Sequence, residues 1–396
     1  MFVSRPYNRR WVYNAYPRKR SISGCHISKA LCISKGSALS KELTLSIVDQ
    51  SPVRKNESAV QALQESIQLA KRAEQLGYSR YWVAEHHNTG SFAGTAPELL
   101  ISQIAAQTKK IRVGSAGVML PHYSALKVAE LFSILESFFP GRIDLGLGRA
   151  PGSDQLTAAA LAYPQPLKDA SMFPQQVLDL IGFLSGTLQS NHPFATVQAQ
   201  PGPARNSIPS IWLLGSSNYS AQLAASLGLP FAFADFFGTT GDYGPLITEL
   251  YRQEFKPSGI MSEPKCNVSL QVICAETNEK AQFLGASRNI NKIVQSRGRP
   301  SGLLDPQEAN NYPLTPAEQT YVSRLTASYI DGDTSYVKEK ILEAAERYGT
   351  LDVGIVTICH SFTDRIRSYE LIADAFGLAN TDATISSHQI QESRPK

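Results

Sequence analysis

A chain of 396 residues, 42% hydrophobic and 18% charged, is long and apolar enough to build a large buried core. No run approaches the ~18 consecutive apolar residues of a membrane span, and the basic N-terminus lacks the apolar segment of a secretory signal. The net charge of +4 divides unevenly: residues 1–41 hold nine Lys and Arg and no acid, leaving 29 basic against 34 acidic residues in the rest, which excludes a basic nucleic-acid footprint there.

The Arg- and Ser-rich leader, residues 1–42, admits two readings: a mitochondrial transit peptide, or an extension with no targeting role. The expected location is intracellular, cytoplasmic in the second reading and mitochondrial in the first. After it, β-branched runs alternate with helical patterns. Strands are predicted at residues 43–48, 80–84, 111–120, 142–148, 211–215, 231–234, 266–275 and 353–358. Between the first two, Leu63, Ile67, Ala70, Ala73 and Leu76 recur at helical spacing, and Gly77 suits the position just past a helix end. Pro97 opens the next helix, with Leu100, Ile101, Ile104 and Ala105 as its apolar stripe. Strict strand–helix alternation implies parallel strands and right-handed crossovers. Eight such units predict a single (β/α)8 TIM barrel over residues 43–378, with loop insertions after several strands, followed by a polar tail at 379–396. Long connections at 149–170, 190–209 and 287–334 read as lids or binding loops. The five cysteines (Cys25, Cys32, Cys266, Cys274 and Cys359) show neither metal spacing nor a paired framework and read as reduced, structural thiols.

Four blocks carry candidate chemistry. Residues 82–88, Trp-Val-Ala-Glu-His-His-Asn, end the second strand with Glu85, His86 and His87, groups suited to proton transfer near neutral pH. Neighbouring side chains on a strand diverge, and no further ligand stands at metal spacing, so no metal is expected. Taken alone, this block is better explained by a histidine hydrogen-bonded into the barrel rim. Residues 142–154 place Gly146, Gly148 and Arg149 at the end of the fourth strand: glycines admit a flat ring or phosphate, and the guanidinium can grip phosphate. The third glycine of a dinucleotide fingerprint is missing. Residues 211–221 run from a strand through Gly215, Ser216 and Ser217 into a helix that includes Ser220, a phosphate cradle or an ordinary serine cap. Small residues Gly114, Ser115, Ala116 and Gly117 leave room beside the third strand.

In this order and combination, the runs at 81–88 and 141–152 closely resemble the bacterial luciferase-like monooxygenase family, over roughly residues 43–378. The resemblance implies a catalytic role for His86 at the reactive edge of a flavin, flanked by Glu85 and His87. It implies a non-prolyl cis peptide at Ala116–Gly117 under the ring. Gly148 and Arg149, with Gly215, Ser216, Ser217 and Ser220, would then hold the cofactor phosphate. The implied activity is a flavin-dependent oxidoreductase of the monooxygenase type, using reduced FMN and O2 on a small organic substrate such as an aldehyde or other carbonyl compound. Reduced FMN would come from a separate flavin reductase, and the implied assembly is a homodimer. Two departures stand out: Gly148 replaces a cysteine of the light-emitting members, and Ser216 replaces their acidic residue, so light emission is not expected. A deazaflavin-dependent oxidoreductase and a non-catalytic flavin-binding protein are the alternatives.

Overall fold

In the computed structural model, residues 43–167, 169–202, 207–238, 240–298 and 302–378 are described. The leader and tail lie outside them. The strand β1 (Thr44–Asp49), helix α1 (Ala59–Gln75), β2 (Arg80–Val83) and α2 (Pro97–Gln107) open the fold. There follow β3 (Arg112–Ser115), the two-residue β4 (Val118–Met119), α3 (Ala125–Phe138) and β5 (Ile143–Gly148). Next come α4 (Gln155–Ala162), α5 (Phe173–Ser185), β6 (Ser210–Gly215), α6 (Asn218–Leu227), β7 (Phe231–Ala234), α7 (Tyr243–Glu254) and β8 (Cys266–Cys274). The last third holds α8 (Asn278–Ser296), α9 (Pro306–Asn310), α10 (Pro316–Thr326), β9 (Ile330–Gly332), α11 (Thr334–Tyr348), β10 (Asp352–Val356) and α12 (Phe362–Phe376).

The strands pair in parallel in the order β1-β2-β3-β5-β6-β7-β8-β10, and β10 pairs β1 again, closing an eight-stranded barrel. This is the (β/α)8 barrel expected from the alternation. Helix ends follow the local chemistry: Ser58 caps α1 by accepting from Gln61 N, Gly77 takes φ +87°, and Pro97 occupies the first turn of α2. Among the described residues, no helix is long and apolar enough to cross a membrane.

Three expectations need correction in detail. The third predicted strand, 111–120, breaks into β3 and β4 at Ala116–Gly117. The connection predicted at 287–334 starts later, because α8 continues to Ser296 on a buried face of Ala286, Ile290, Ile293 and Val294. The remainder of that insertion contains α9, α10 and β9, and the insertion at 149–170 contains α4. These short elements have too few turns to show a period.

Alternation along each strand separates two interiors. Residues such as Leu45, Ile47, Tyr81, Val113, Leu145, Leu213 and Val353 face the helices and form the main core. The opposite set fills the lumen. At its N-terminal end Asp352 accepts Arg80 Nη1 on both oxygens at 2.7 Å and Asn267 Nδ2 at 2.7 Å, while Asp144 accepts Trp82 Nε1 at 2.8 Å. A cavity of about 790 Å³, lined by Arg80, Arg252, Lys265 and Asp352 among others, opens at this end, remote from the C-terminal mouth where barrel chemistry resides. Higher in the lumen Val48, Trp82, Trp212, Val356 and Ile358 form an apolar plug. Leu303, from the insertion before α9, joins that plug from above. It is pinned there by backbone bonds from Leu303 N to Val53 O and from Lys55 N to Leu303 O, each 2.8 Å.

Candidate functional site

Glu85, His86 and His87 leave the end of β2 as extended chain, anchored by His86 N donating to Gly94 O at 2.7 Å. The strand has ended, yet the two imidazoles still part. His86 packs on Phe92 with ring centroids 5.0 Å apart, and Phe92 lies against the apolar plug of the mouth. His87 turns toward Glu85 and His122. The buried Glu85 carboxylate serves three donors: its Oε1 meets His87 Nε2 at 2.7 Å and accepts Tyr123 OH at 2.7 Å, and its Oε2 accepts Met119 N at 2.9 Å. Glu85 thus ties the end of β2 to β4 and the turn after it, which leaves His86 as the member of the trio aimed at the mouth.

His86 Nδ1 is enclosed and finds no hydrogen-bond partner among the described residues. Burial, helped by the neighbouring His87, pushes its pKa down to about 4, so the ring is neutral at physiological pH and can exchange a proton with a bound group. A depressed folded-state value means that the stability contributed by the neutral ring is present above the ordinary value near 6.5 and is lost as pH falls toward 4. Wild type should therefore lose about 1–3 kcal/mol more than His86→Gln between pH 7 and pH 4 in urea melts. Equal losses in the two proteins would show that His86 does not carry this titration.

Beside this group, the Ala116–Gly117 peptide is cis. The backbone there is pressed against β5: Ser115 Oγ donates to Gly146 O at 2.9 Å and accepts Gly146 N at 3.0 Å. A Cβ on Gly117 would stand 2.6 Å from Gly146 O, and one on Gly146 would overlap Ser115 O. Only glycine permits this close approach of two strands. Ala116 is half-buried against the plug, so this stretch of backbone borders the mouth.

Gly148–Arg149 and Gly215–Ser220 come from β5 and β6, which are neighbours in the barrel. Arg149 is exposed and stacks on Tyr219 of α6, with 4.2 Å from guanidinium carbon to ring centroid. It forms no ion pair among the described residues. Ser217 caps α6, accepting Ser220 N at 3.5 Å, while Ser220 Oγ folds back toward the strand so closely that a side chain at Gly215 would overlap it. The predicted phosphate residues thus converge, but as two kinds. Ser217 and Ser220 bond within the turn, whereas the side chains of Arg149 and Ser216 make no hydrogen bond or ion pair among the described residues.

A profile of the luciferase-like monooxygenases matches residues 43–350. The chain belongs to the luciferase-like monooxygenase family. Within this family it is 43% identical to the uncharacterised protein YwcH of Bacillus subtilis (strain 168) over 335 residues, covering 84% of this chain and 99% of that one. The N-acetyl-S-alkylcysteine monooxygenase of the same organism is 36% identical over 335 residues, 84% of this chain and 98% of its own. Among solved structures, apo-MsnO8 superposes with a TM-score of 0.77 at 37% identity, covering 86% of this chain and 99% of that one.

Against this member of the luciferase-like family, the sequence reading located Glu85, His86, His87, Ala116, Gly117, Gly148, Arg149, Gly215, Ser216, Ser217 and Ser220, all of which the fold gathers around the C-terminal mouth. It missed Tyr123, which donates to Glu85, and Tyr219, the platform under Arg149. Tyr219 had a signal, standing in the first turn after the phosphate cradle; Tyr123 had none short of the fold. Cys266, Cys274 and Cys359 are buried free thiols, which burial pushes up to about 12, 11 and 12, so they stay protonated and structural. Cys25 and Cys32 lie outside the described residues. Among the described residues no cluster of three or more His, Cys, Asp or Glu could hold a metal ion.

Proposed function

We propose that this family member is a monooxygenase that takes reduced FMN and O2 and oxidises a small organic substrate bearing a carbonyl group. The observation that carries the reading is the convergence, on one barrel mouth, of a neutral enclosed imidazole at His86, the side-chain-free backbone where Gly117 approaches Gly146, and a guanidinium at Arg149 with no ion pair among the described residues, beside the start of α6. The residues fit the group. The rim between β3 and β5 would carry the isoalloxazine ring, and Arg149, Ser216 and the N-terminus of α6 would hold its phosphate. Bound there, reduced FMN supplies the electrons and the site of O2 activation. The protein's part is to orient the ring, exclude water with Phe92, Leu303 and Phe236, and hold or move a proton at His86 Nδ1. Since residues 142–154 do not form a dinucleotide fingerprint, reduced FMN arrives from a separate reductase in this proposal. Rapid oxidation of NAD(P)H by the purified protein alone would overturn that part.

The first test is a titration of the protein with oxidised FMN, photoreduced FMN and the deazaflavin coenzyme, followed by addition of O2 to the reduced complex. Tighter binding of reduced FMN, with an absorbance change on O2 addition, supports the reading. Binding of the deazaflavin alone would replace it with hydride transfer, and binding of none would sink the phosphate site. Arg149→Met should weaken FMN by about 10- to 100-fold, while riboflavin, which lacks the phosphate, binds both proteins alike. An equal loss for the two ligands would remove Arg149 from phosphate recognition. The substrate screen should begin with aldehydes and ketones, together with the N-acetyl-S-alkylcysteines named for the Bacillus relative.

A further inference from the structure

The inward-facing side chains of β8 climb the lumen in the order Asn267, Ser269, Gln271, while Val268, Leu270 and Val272 face the helices. The lower two are satisfied: Asn267 Nδ2 donates to Asp352 Oδ1 at 2.7 Å, and Ser269 Oγ donates to Asn267 Oδ1 at 3.0 Å. Ser269 also abuts Gly354 of β10, where a Cβ would overlap its hydroxyl, which confirms that this row points into the barrel. Gln271 stands next, in register with Val356, a member of the apolar plug. It is 3% exposed, and its Nε2 finds no hydrogen-bond partner among the described residues. Among the described residues three buried side-chain nitrogens share that condition, His86 Nδ1, Trp212 Nε1 and Gln271 Nε2, and all three border the lumen or its mouth. A buried donor without a partner is destabilising, and such groups persist where a ligand completes them.

Position around the barrel says which ligand. In the closed order β8 lies diametrically opposite β3, with three strands between them on either side. A ring set against Ala116–Gly117 at the end of β3 would have the β8 side of the mouth across from it. We propose that Gln271 orients the substrate, donating its amide Nε2–H to a carbonyl oxygen on that side of the ring. The inference rests on the flavin reading above and extends it to a residue that the family resemblance did not supply. The donor is neutral and its register partner Val356 belongs to the apolar plug that also holds Ile358 and Leu303, so the matching group is the neutral oxygen of an aldehyde, ketone or amide on an otherwise apolar body.

Calorimetric titrations of the protein, with and without FMN, test this with three carbonyl probes: hexanal, cyclohexanone and N-acetyl-S-methylcysteine. At least one should bind wild type, and Gln271→Met, which keeps the length of the side chain and removes the donor, should weaken that probe by about tenfold or more. The FMN affinity of the variant should stay within about twofold, and its Tm should not fall, because an unpaired donor has been removed from an apolar setting. Binding of no probe by wild type, unchanged probe affinity in the variant, a parallel loss of FMN affinity or a lowered Tm would each overturn the proposal. A protein that binds no FMN, yet loses its probe on Gln271→Met, would sink the flavin reading and the placement over the ring, and keep only Gln271 as the carbonyl donor.

Discussion

His86→Ala is expected to lower turnover by about 100- to 10,000-fold while FMN affinity is retained, the range lost when a positioned proton-transfer group is removed. The site is specific to this histidine. Its backbone is anchored on Gly94, its ring is held by Phe92, and its Nδ1 is enclosed without a partner, whereas Glu85 and His87 are committed to each other and to Met119 and Tyr123. His86→Gln, which keeps hydrogen-bonding capacity but cannot exchange a proton, should lose nearly as much. Glu85→Gln should instead act through position, altering kcat modestly because the links to Met119 and Tyr123 survive in part. The measurement is turnover with reduced FMN, O2 and the best-binding carbonyl probe, beside FMN titrations of each variant. Unchanged turnover in His86→Ala would remove the residue from the mechanism. Loss of FMN binding in step with turnover would recast it as a packing residue.

Asp49→Ala should cost about 3–5 kcal/mol of folding stability, the cost of leaving one member of a buried ion pair without its partner. Asp49 Oδ1 lies 2.5 Å from Arg365 Nη2 and accepts Ser51 N at 2.7 Å, while its Oδ2 accepts Tyr81 OH at 2.5 Å. Both charged side chains are almost fully buried, and the pair links β1 to α12, the first and last elements of the closed barrel. Burial alone would raise the Asp49 carboxyl, but Arg365 and the hydrogen bonds from Ser66, Tyr81 and Ser51 outweigh it and hold the group below the usual carboxylate value. Its contribution is therefore complete above the unfolded-state value and disappears as pH falls through the lower folded-state one. Urea unfolding at pH 7 measures the effect, and the double variant Asp49→Ala, Arg365→Met should recover part of it because no charge is then stranded. A loss below about 1 kcal/mol for Asp49→Ala would show that the pair is solvated and that the barrel closes without it.

The barrel strands were legible because most are short apolar runs set between helical patterns and turn residues, a property carried in four to nine consecutive residues. The C-terminal end of α1 and the start of α2 were legible for a similar reason, since Gly77 and Pro97 act within one turn. The candidate mouth could also be outlined, because a parallel barrel brings the C-terminal ends of its strands together and the motif residues stood at those ends. Roles were less legible than places. Residue type did not show that Ser217 caps α6 or that Ser220 packs under Gly215. Nor did it show that the Glu85 carboxylate ties the end of β2 to Met119, Tyr123 and His87.

Composition, periodicity and turn chemistry by themselves determined the barrel, the order of its units and the set of residues at its mouth. Only the tertiary structure decided which of those residues remain unpaired. The Asp49–Arg365 pair spans 316 positions, and Ser91 Oγ reaches Asn291 Oδ1 at 2.9 Å across 200. Leu303 enters the plug from an insertion, Tyr219 slides beneath Arg149, and Gln271 stands unpaired where Asn267 and Ser269 below it are satisfied. Local patterning sets which face of an element turns inward. Whether a polar atom on that face meets a partner depends on closure of the sheet, which brings together strands whose separation along the chain carries no local signal.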